Sequence, residues 1–372
     1  MLKFVKKDPV LVTSGILAIV SCFFVRPDQE YAGYIDWRVL GILFSMMLVV
    51  AELVRIGLFK KLTDMLLEKV HTSRAVSLIL VWLCFFMGMI LTNDVTLVTM
   101  VPFAIGVMNS FDDRKSTTYT LILMTVAANL GSMQTPIGNP QNLYLYTKYA
   151  VPLGDFLKLM LPYSLLSLAL VTAAVFILCK KTVSGKREKE QNKSLDRPRL
   201  IISLLLFALC LLVVARVIEY WIVLLVLIAV MIFMDRKAFH YVDFTLLITF
   251  VFFFVFVGNM GRIDAVREVI SNVVETEPVL TAALSSQVIS NVPAALLLSA
   301  FTRNGQALII GTNLGGLGTL IASMASLITY KFHSAMPKPE DKKTPGYIPA
   351  FTVINIIFLL ILFGLYLLLS RL

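Results

Sequence analysis

A seven-residue pattern, N-L-G-x-x-x-T, stands twice in this chain, each time inside strongly apolar sequence. One copy is Asn129-Leu130-Gly131-Ser132-Met133-Gln134-Thr135 and the other is Asn313-Leu314-Gly315-Gly316-Leu317-Gly318-Thr319. Each follows an apolar segment interrupted by an asparagine, Leu91-Thr92-Asn93-Asp94-Val95 before the first and Ile289-Ser290-Asn291-Val292-Pro293 before the second. Polar, glycine-rich backbone at membrane depth is tolerated only where protein buries it or where it lines a cavity. Its appearance at matching places in two halves is the pattern expected of a secondary transporter's binding site.

The setting is a bilayer. Of 372 residues, 58% are hydrophobic and 15% charged, where soluble domains carry about 25% charged residues. Mean hydropathy is +0.85. The net charge of +10 sits in short loops between apolar runs, so it is no signature of nucleic acid binding. Cys22, Cys84, Cys179 and Cys210 all lie in apolar runs and read as small buried hydrophobes, not a disulfide framework. His71, His240 and His333 fall in hydrophilic loops. With no intramembrane histidine and no paired carboxylates, a membrane-embedded enzyme is the weaker class of function. The run Pro9–Val25 follows Lys3, Lys6 and Lys7, with no small-x-small cleavage pattern before Arg26-Pro27-Asp28, and reads as a retained first span.

About 20 apolar residues cross a bilayer. The sequence predicts nine crossings, 9–25, 36–56, 117–150, 156–179, 198–217, 219–235, 242–258, 305–331 and 347–370. Two of them, 117–150 and 305–331, are broken by the heptapeptides. The segments 74–110 and 277–301 are read as re-entrant hairpins that enter and leave on one side. With the N-terminus inside, the inner segments 1–8, 55–74, 111–116, 180–199, 235–240 and 330–343 hold 24 of the 33 Lys and Arg residues, the positive-inside bias. Nine crossings put the C-terminus outside, in a multi-pass protein of the inner (plasma) membrane.

The expected fold is an all-α polytopic membrane protein with inverted repeats, two re-entrant hairpins and two broken transmembrane helices. Its parts are an N-terminal span (1–35), a first unit (36–180), a cytoplasmic linker with two connecting spans (181–241) and a second unit (242–372). Each unit runs span, amphipathic stretch, hairpin, broken span, closing span. The amphipathic stretches align Leu58, Leu62, Met65, Leu66 and Val70 in one unit, and Ile263, Val266, Ile270 and Val273 in the other. In register, Asn139 and Asn142 correspond to Ser323 and Ser326.

Carbonyls freed by glycine and proline, with Asn and Thr oxygens, suit a hard cation such as Na⁺, while freed N–H groups favour an anion. Substrate is expected at Asn93, Asn129, Thr135, Asn139, Asn142, Asn291, Asn313, Thr319 and Ser323. The coupling cation, Na⁺ or H⁺, is expected at Thr92, Asn93, Asp94, Gly131, Ser290, Asn291, Thr312 and Gly315. No cofactor and no other metal are expected. Asp94 is the sole acidic residue at any tip or break, and an intramembrane carboxylate is a functional hypothesis by default. Glu52 could pair with Arg55 at i+3 as a structural bond.

These residues resemble the ion transporter superfamily, which includes divalent anion:Na⁺ symporters, citrate transporters, arsenite/antimonite permeases and melanosomal P-protein relatives. The resemblance covers nearly the whole chain. In the anion symporters, Ser-Asn-Thr tip motifs bind Na⁺ and the substrate carboxylate. The central Asn93 and Asn291 match those motifs, while Asp94 and Val292 stand at the third positions. Asn93-Asp94, and Ile309-Ile310-Gly311-Thr312-Asn313-Leu314-Gly315, are similar to arsenite permeases. Thr135-Pro136-Ile137-Gly138-Asn139-Pro140-Gln141-Asn142 resembles the Gly-Asp-Pro-Pro-Asn stretch of the P-protein and Na⁺/H⁺ antiporter branch, with Asn139 at the acidic position. The resemblance implies a homodimeric transporter that moves a small anion or oxyanion by alternating access. An arsenite permease or Na⁺/H⁺ antiporter is the alternative within transport, and a channel a further one.

Overall fold

The computed structural model describes residues 9–67, 70–111, 113–182, 195–337 and 346–371. Their regular structure is helical throughout. Several helices start where a short polar side chain accepts a backbone N–H, the usual N-cap bond. Asp36, Asp113, Asn139, Asp196, Asp243 and Asn304 each do so. The first unit contains α1 (Trp37–Ile56), α2 (Leu58–Leu67), α3 (Ser73–Leu91), α4 (Asn93–Met108), α5 (Arg114–Ser132), α6 (Pro140–Lys148) and α7 (Leu153–Leu178). Two connecting helices follow, Arg197–Val214 and Tyr220–Met234. The second unit contains α8 (Phe244–Gly261), α9 (Asp264–Thr276), α10 (Pro278–Ile289), α11 (Asn291–Leu298), α12 (Gly305–Leu314), α13 (Met324–Ser334) and α14 (Tyr347–Leu369). A further helix, Pro9–Phe24, packs on α8.

Seven helices are long and apolar enough to cross a membrane: 37–56, 73–91, 93–111, 153–178, 197–214, 244–261 and 347–369. The chain is thus a multi-pass, all-α membrane protein. Both arms of the first hairpin are on that list. The two arms run antiparallel, so the start of one lies beside the end of the other. Ser77, one turn into α3, lies 3.9 Å from Met108 Sδ at the end of α4 and 2.6 Å from Thr120 on α5.

Side-chain bonds sort the helix ends into two faces. At one face Ser73 Oγ donates to Lys180 O, the Lys180 N–H donates to Ser116 Oγ, and Arg114 donates to Pro337 O. Described ends of Lys- and Arg-rich segments meet here, while 1–8, 183–194 and 338–345 fall outside the described residues. Glu52 is fully buried, and the expected i+3 ion pair with Arg55 is present but long, with a closer partner beside it. Arg199 donates to it at 3.0 and 2.5 Å, while Arg55 stands 3.9 Å away and also pairs with Asp235 at 2.5 Å. Arg199 also donates to Asp235. A neutral four-residue cluster therefore locks α1 to both connecting helices. At the opposite face Arg262 pairs with Asp28 at 2.8 Å, Arg216 donates to Tyr146 O and Ala150 O, and Tyr149 donates to Thr302 O.

The apolar stripes of the amphipathic helices are divided between protein and exterior: Leu58, Val70 and Ile270 pack against the core. Phe59, Thr63 and Leu67 are buried in α2, whereas Leu62, Met65 and Leu66 point outward, as do Val269 and Val273 of α9. An outward apolar stripe is what lipid contact selects.

Candidate functional site

The hairpins turn on single residues. Thr92 (φ 83°, ψ 149°) ends α3 and Ser290 (φ 72°, ψ 155°) ends α10. The two occupy the same backbone region, one that is essentially glycine's own and costs about 1–3 kcal/mol for another residue. Each turn starts a helix at an asparagine, and each asparagine N–H is held by the facing break: Asn93 N to Gly138 O at 3.2 Å, Asn291 N to Ala322 O at 3.0 Å. The offset that brings Asn129 onto Asn313 also brings Gly138 onto Ala322 and Thr135 onto Thr319. Those threonines act alike, Thr135 donating to Met89 O at 2.5 Å and Thr319 to Gln287 O at 3.2 Å. They tie breaks to hairpins and do not line the central cavity. Gly131 and Gly315 are close-approach positions. A Cβ on Gly131 would overlap the Phe85 carbonyl, and one on Gly315 would lie 2.7 Å from Ser286 Oγ.

The two breaks meet in a reciprocal exchange. Asn139 donates to Asn313 Oδ1 at 3.1 Å, and its register mate Ser323 donates to Asn129 Oδ1 at 3.0 Å. Asn93 Nδ2 also donates to Asn129 Oδ1 at 2.9 Å, while Asn313 Nδ2 donates to Asn142 Oδ1 at 2.6 Å and Ile309 O at 2.7 Å. All these residues are buried. Beside this network lies a cavity of roughly 60 Å³, enough for a small ion or a few waters. Both tips line it through Asn93, Asp94, Ser290 and Asn291, and both breaks through Pro140, Gln141, Ser323 and Met324. Val10, Asp243, Leu246 and Thr249 line it from the N-terminal helix and α8, and Val292 and Pro293 from the second tip. One turn along α6 and α8, the rings of Tyr144, Phe250 and Phe254 meet edge-on and tilted, with centroids 5.8–6.4 Å apart.

Four buried side-chain atoms around this site have no hydrogen-bond partner among the described residues: Asp94 Oδ1, Thr96 Oγ1, Asn129 Nδ2 and Ser326 Oγ. An orphaned carboxylate oxygen beside amide and hydroxyl oxygens suits a proton or a hard monovalent cation, and an orphaned amide N–H suits an anion. Of the expected residues, Asn93, Asp94, Ser290, Asn291 and Ser323 face the cavity, and Asn129, Asn139, Asn142 and Asn313 form the network behind it. Thr92 makes the turn. Thr312 bonds its own helix at Leu308 O.

Three contributors escaped the sequence reading. Asp243 and Thr249 line the cavity from α8. Gln287 holds the second break, donating to Gly315 O at 2.9 Å and Leu317 O at 2.8 Å and accepting from Thr319 N. Asp243 looks like an ordinary helix cap in sequence. Gln287 had one available signal, a polar residue in apolar sequence four positions before Asn291.

The citrate transporter family profile matches residues 4–307, ending before the second heptapeptide. An uncharacterised transporter of Methanocaldococcus jannaschii is 30% identical over 329 residues, 87% of this chain and 88% of that protein. The inner membrane protein YbiR of Escherichia coli is 30% identical over 324 residues, 85% of each chain. A silicon efflux transporter of Oryza sativa subsp. japonica is 27% identical over 181 residues, 48% of this chain and 37% of that protein.

Proposed function

The chain belongs to the citrate transporter family, and from that membership and the paired site we propose that it is a secondary active transporter. It carries a small anion or oxyanion, coupled to Na⁺ or H⁺, by alternating access. The observation that carries this reading is the reciprocal pair Asn139–Asn313 and Ser323–Asn129, which makes one cavity depend on both halves. In this proposal the hairpins 73–108 and 278–298 are re-entrant from opposite faces, the basic face is cytoplasmic, and the protein works as a homodimer.

Substrate sits between the tips, held by asparagine amides and half-helix N–H groups without a basic side chain. The cation sits at Asp94 with the oxygens of the first tip. In this proposal access from the basic face runs past Asp243, which lines the cavity, and the edge-on rings of Tyr144, Phe250 and Phe254 stand on the other side. A second reading, an arsenite-type permease or Na⁺/H⁺ antiporter, draws support from Asp94 and from a cavity sized for a small inorganic species.

The test is uptake by purified protein in liposomes, over a panel of carboxylates and oxyanions, with Na⁺ and pH gradients imposed separately. Gradient-dependent concentration of one anion supports the transporter. Asn313→Ala should weaken substrate and cation binding together, because linkage between sites is reciprocal. Downhill flux alone, insensitive to either gradient, would point to a channel.

A further inference from the structure

Beyond the central site, the face opposite the basic loops carries a much larger hollow of about 670 Å³. Its polar lining includes Tyr34, Asp36, Lys148, Arg262 and Arg267, with Trp37 at its edge. Arg262 is committed to Asp28, Glu30 and Tyr34. Lys148 and Arg267 have no carboxylate within ion-pair distance among the described residues. The carboxylate that shares the hollow with them, Asp36, caps α1 by accepting from Val39 N. Lys148 donates to the Tyr144 hydroxyl at 3.1 Å and stands over that ring at 5.5 Å. The Tyr144 ring, which lines the hollow, meets Phe250 and Phe254 and stands one turn along α6 from Gln141 of the central cavity. Lys148 ends α6, the half-helix whose other end, Asn139–Pro140, is in the central site.

We propose that this hollow is a second, peripheral anion site. It is an antechamber in which Lys148 and Arg267 hold a small polyvalent anion, carboxylate or oxyanion, on the outer side of the Tyr144 ring. Two separated cations around so large a space match an anion with charge on more than one group. A low-dielectric wall beside them concentrates anions further. The proposal rests on the anion-transport reading for its purpose, but its test needs no transport.

Trp37 is a built-in reporter, and with Trp82 and Trp221 it completes the chain's tryptophans. In purified protein carrying W82F and W221F, Trp37 fluorescence is quenched in turn by iodide, neutral acrylamide and caesium. Iodide should quench well beyond acrylamide at matched ionic strength. K148Q with R267Q should cut iodide quenching about threefold or more, leaving acrylamide quenching in place, as loss of local anion enrichment requires. K148R should restore it, which also controls for misfolding. Citrate or sulfate should displace iodide at concentrations where chloride of equal ionic strength does not. Iodide quenching no stronger than caesium quenching, or unmoved by the double substitution, overturns the site. Iodide enrichment that neither citrate nor sulfate relieves overturns the polyvalent class. Either failure leaves liposome uptake untouched, so it is distinguishable from failure of the transporter reading.

Discussion

Asn313 donates its side-chain amide to Asn142 at 2.6 Å, and the bond that repeat symmetry pairs with it, from Asn129 to Ser326, is not made. Both atoms of that second bond are buried and without partners. The two halves thus differ at this bond, which is what the proposed inverted repeats require when a cavity faces one side. If access alternates, the bond should pass from one half to the other. Ser326→Ala removes nothing that holds this conformation, so thermal stability should stay within about 0.5 kcal/mol. Uptake should fall and the protein should rest with its basic-face cavity open, read by cysteine accessibility near Asp243. Unaltered uptake by Ser326→Ala would sink the exchange.

Asp94 is the second test. It lines the cavity and has a buried oxygen without a partner among the described residues, so Asp94→Asn should abolish gradient-driven uptake while the protein still folds. Substrate-for-substrate exchange, which needs no net cation movement, should survive. Coupled uptake at parental rates across pH would make Asp94 a structural residue.

The strained turns make a third. Thr92 and Ser290 hold backbone angles that glycine adopts freely. Thr92→Gly and Ser290→Gly should each raise stability in detergent by about 1 kcal/mol, strain relief outweighing a weak cap. A β-branched residue at 290 should lower it. Melting temperature measures both, and glycine variants less stable than the parent would show the turn is not strained.

The fourth concerns acid. Burial would raise the pKa of Asp235, but hydrogen bonds from Arg55, the Lys237 backbone and Arg199 hold it at about 2. A carboxyl whose folded pKa is depressed stabilises the fold above its unfolded value, about 3.9, and loses that contribution as pH falls through the folded one. Asp235→Asn should therefore cost about 2 kcal/mol at pH 7, with the gap constant to about pH 5 and closing toward pH 2. Denaturant titrations at stepped pH would measure it, and equal stability at pH 7 would remove the cluster's role.

The register of the two repeats was legible from residue types alone. Aligning Asn129 with Asn313 and Asn93 with Asn291 anticipates the backbone bonds to Gly138 and Ala322, because identical turns in identical packing need the same partners. Which polar side chains face the cavity was not legible. Irregular breaks have no periodicity, so Thr135 and Thr319, which brace hairpin arms, look in sequence like Asn139 and Ser323, which meet across the centre. The buried side of α2 was missed for a related reason. In lipid, apolar stripes point outward as readily as inward, and Phe59 and Thr63 pack while Leu62 and Leu66 do not.

The crossing of Ser323 to Asn129 and of Asn139 to Asn313 has a consequence for inheritance. Neither half owns its own site: each asparagine of one heptapeptide is finished by a residue encoded in the other half of the gene. A change at 323 is felt at 129, and a change at 139 at 313, so these positions are bound to drift in pairs among relatives. A half-length chain would carry two half-sites and no whole one.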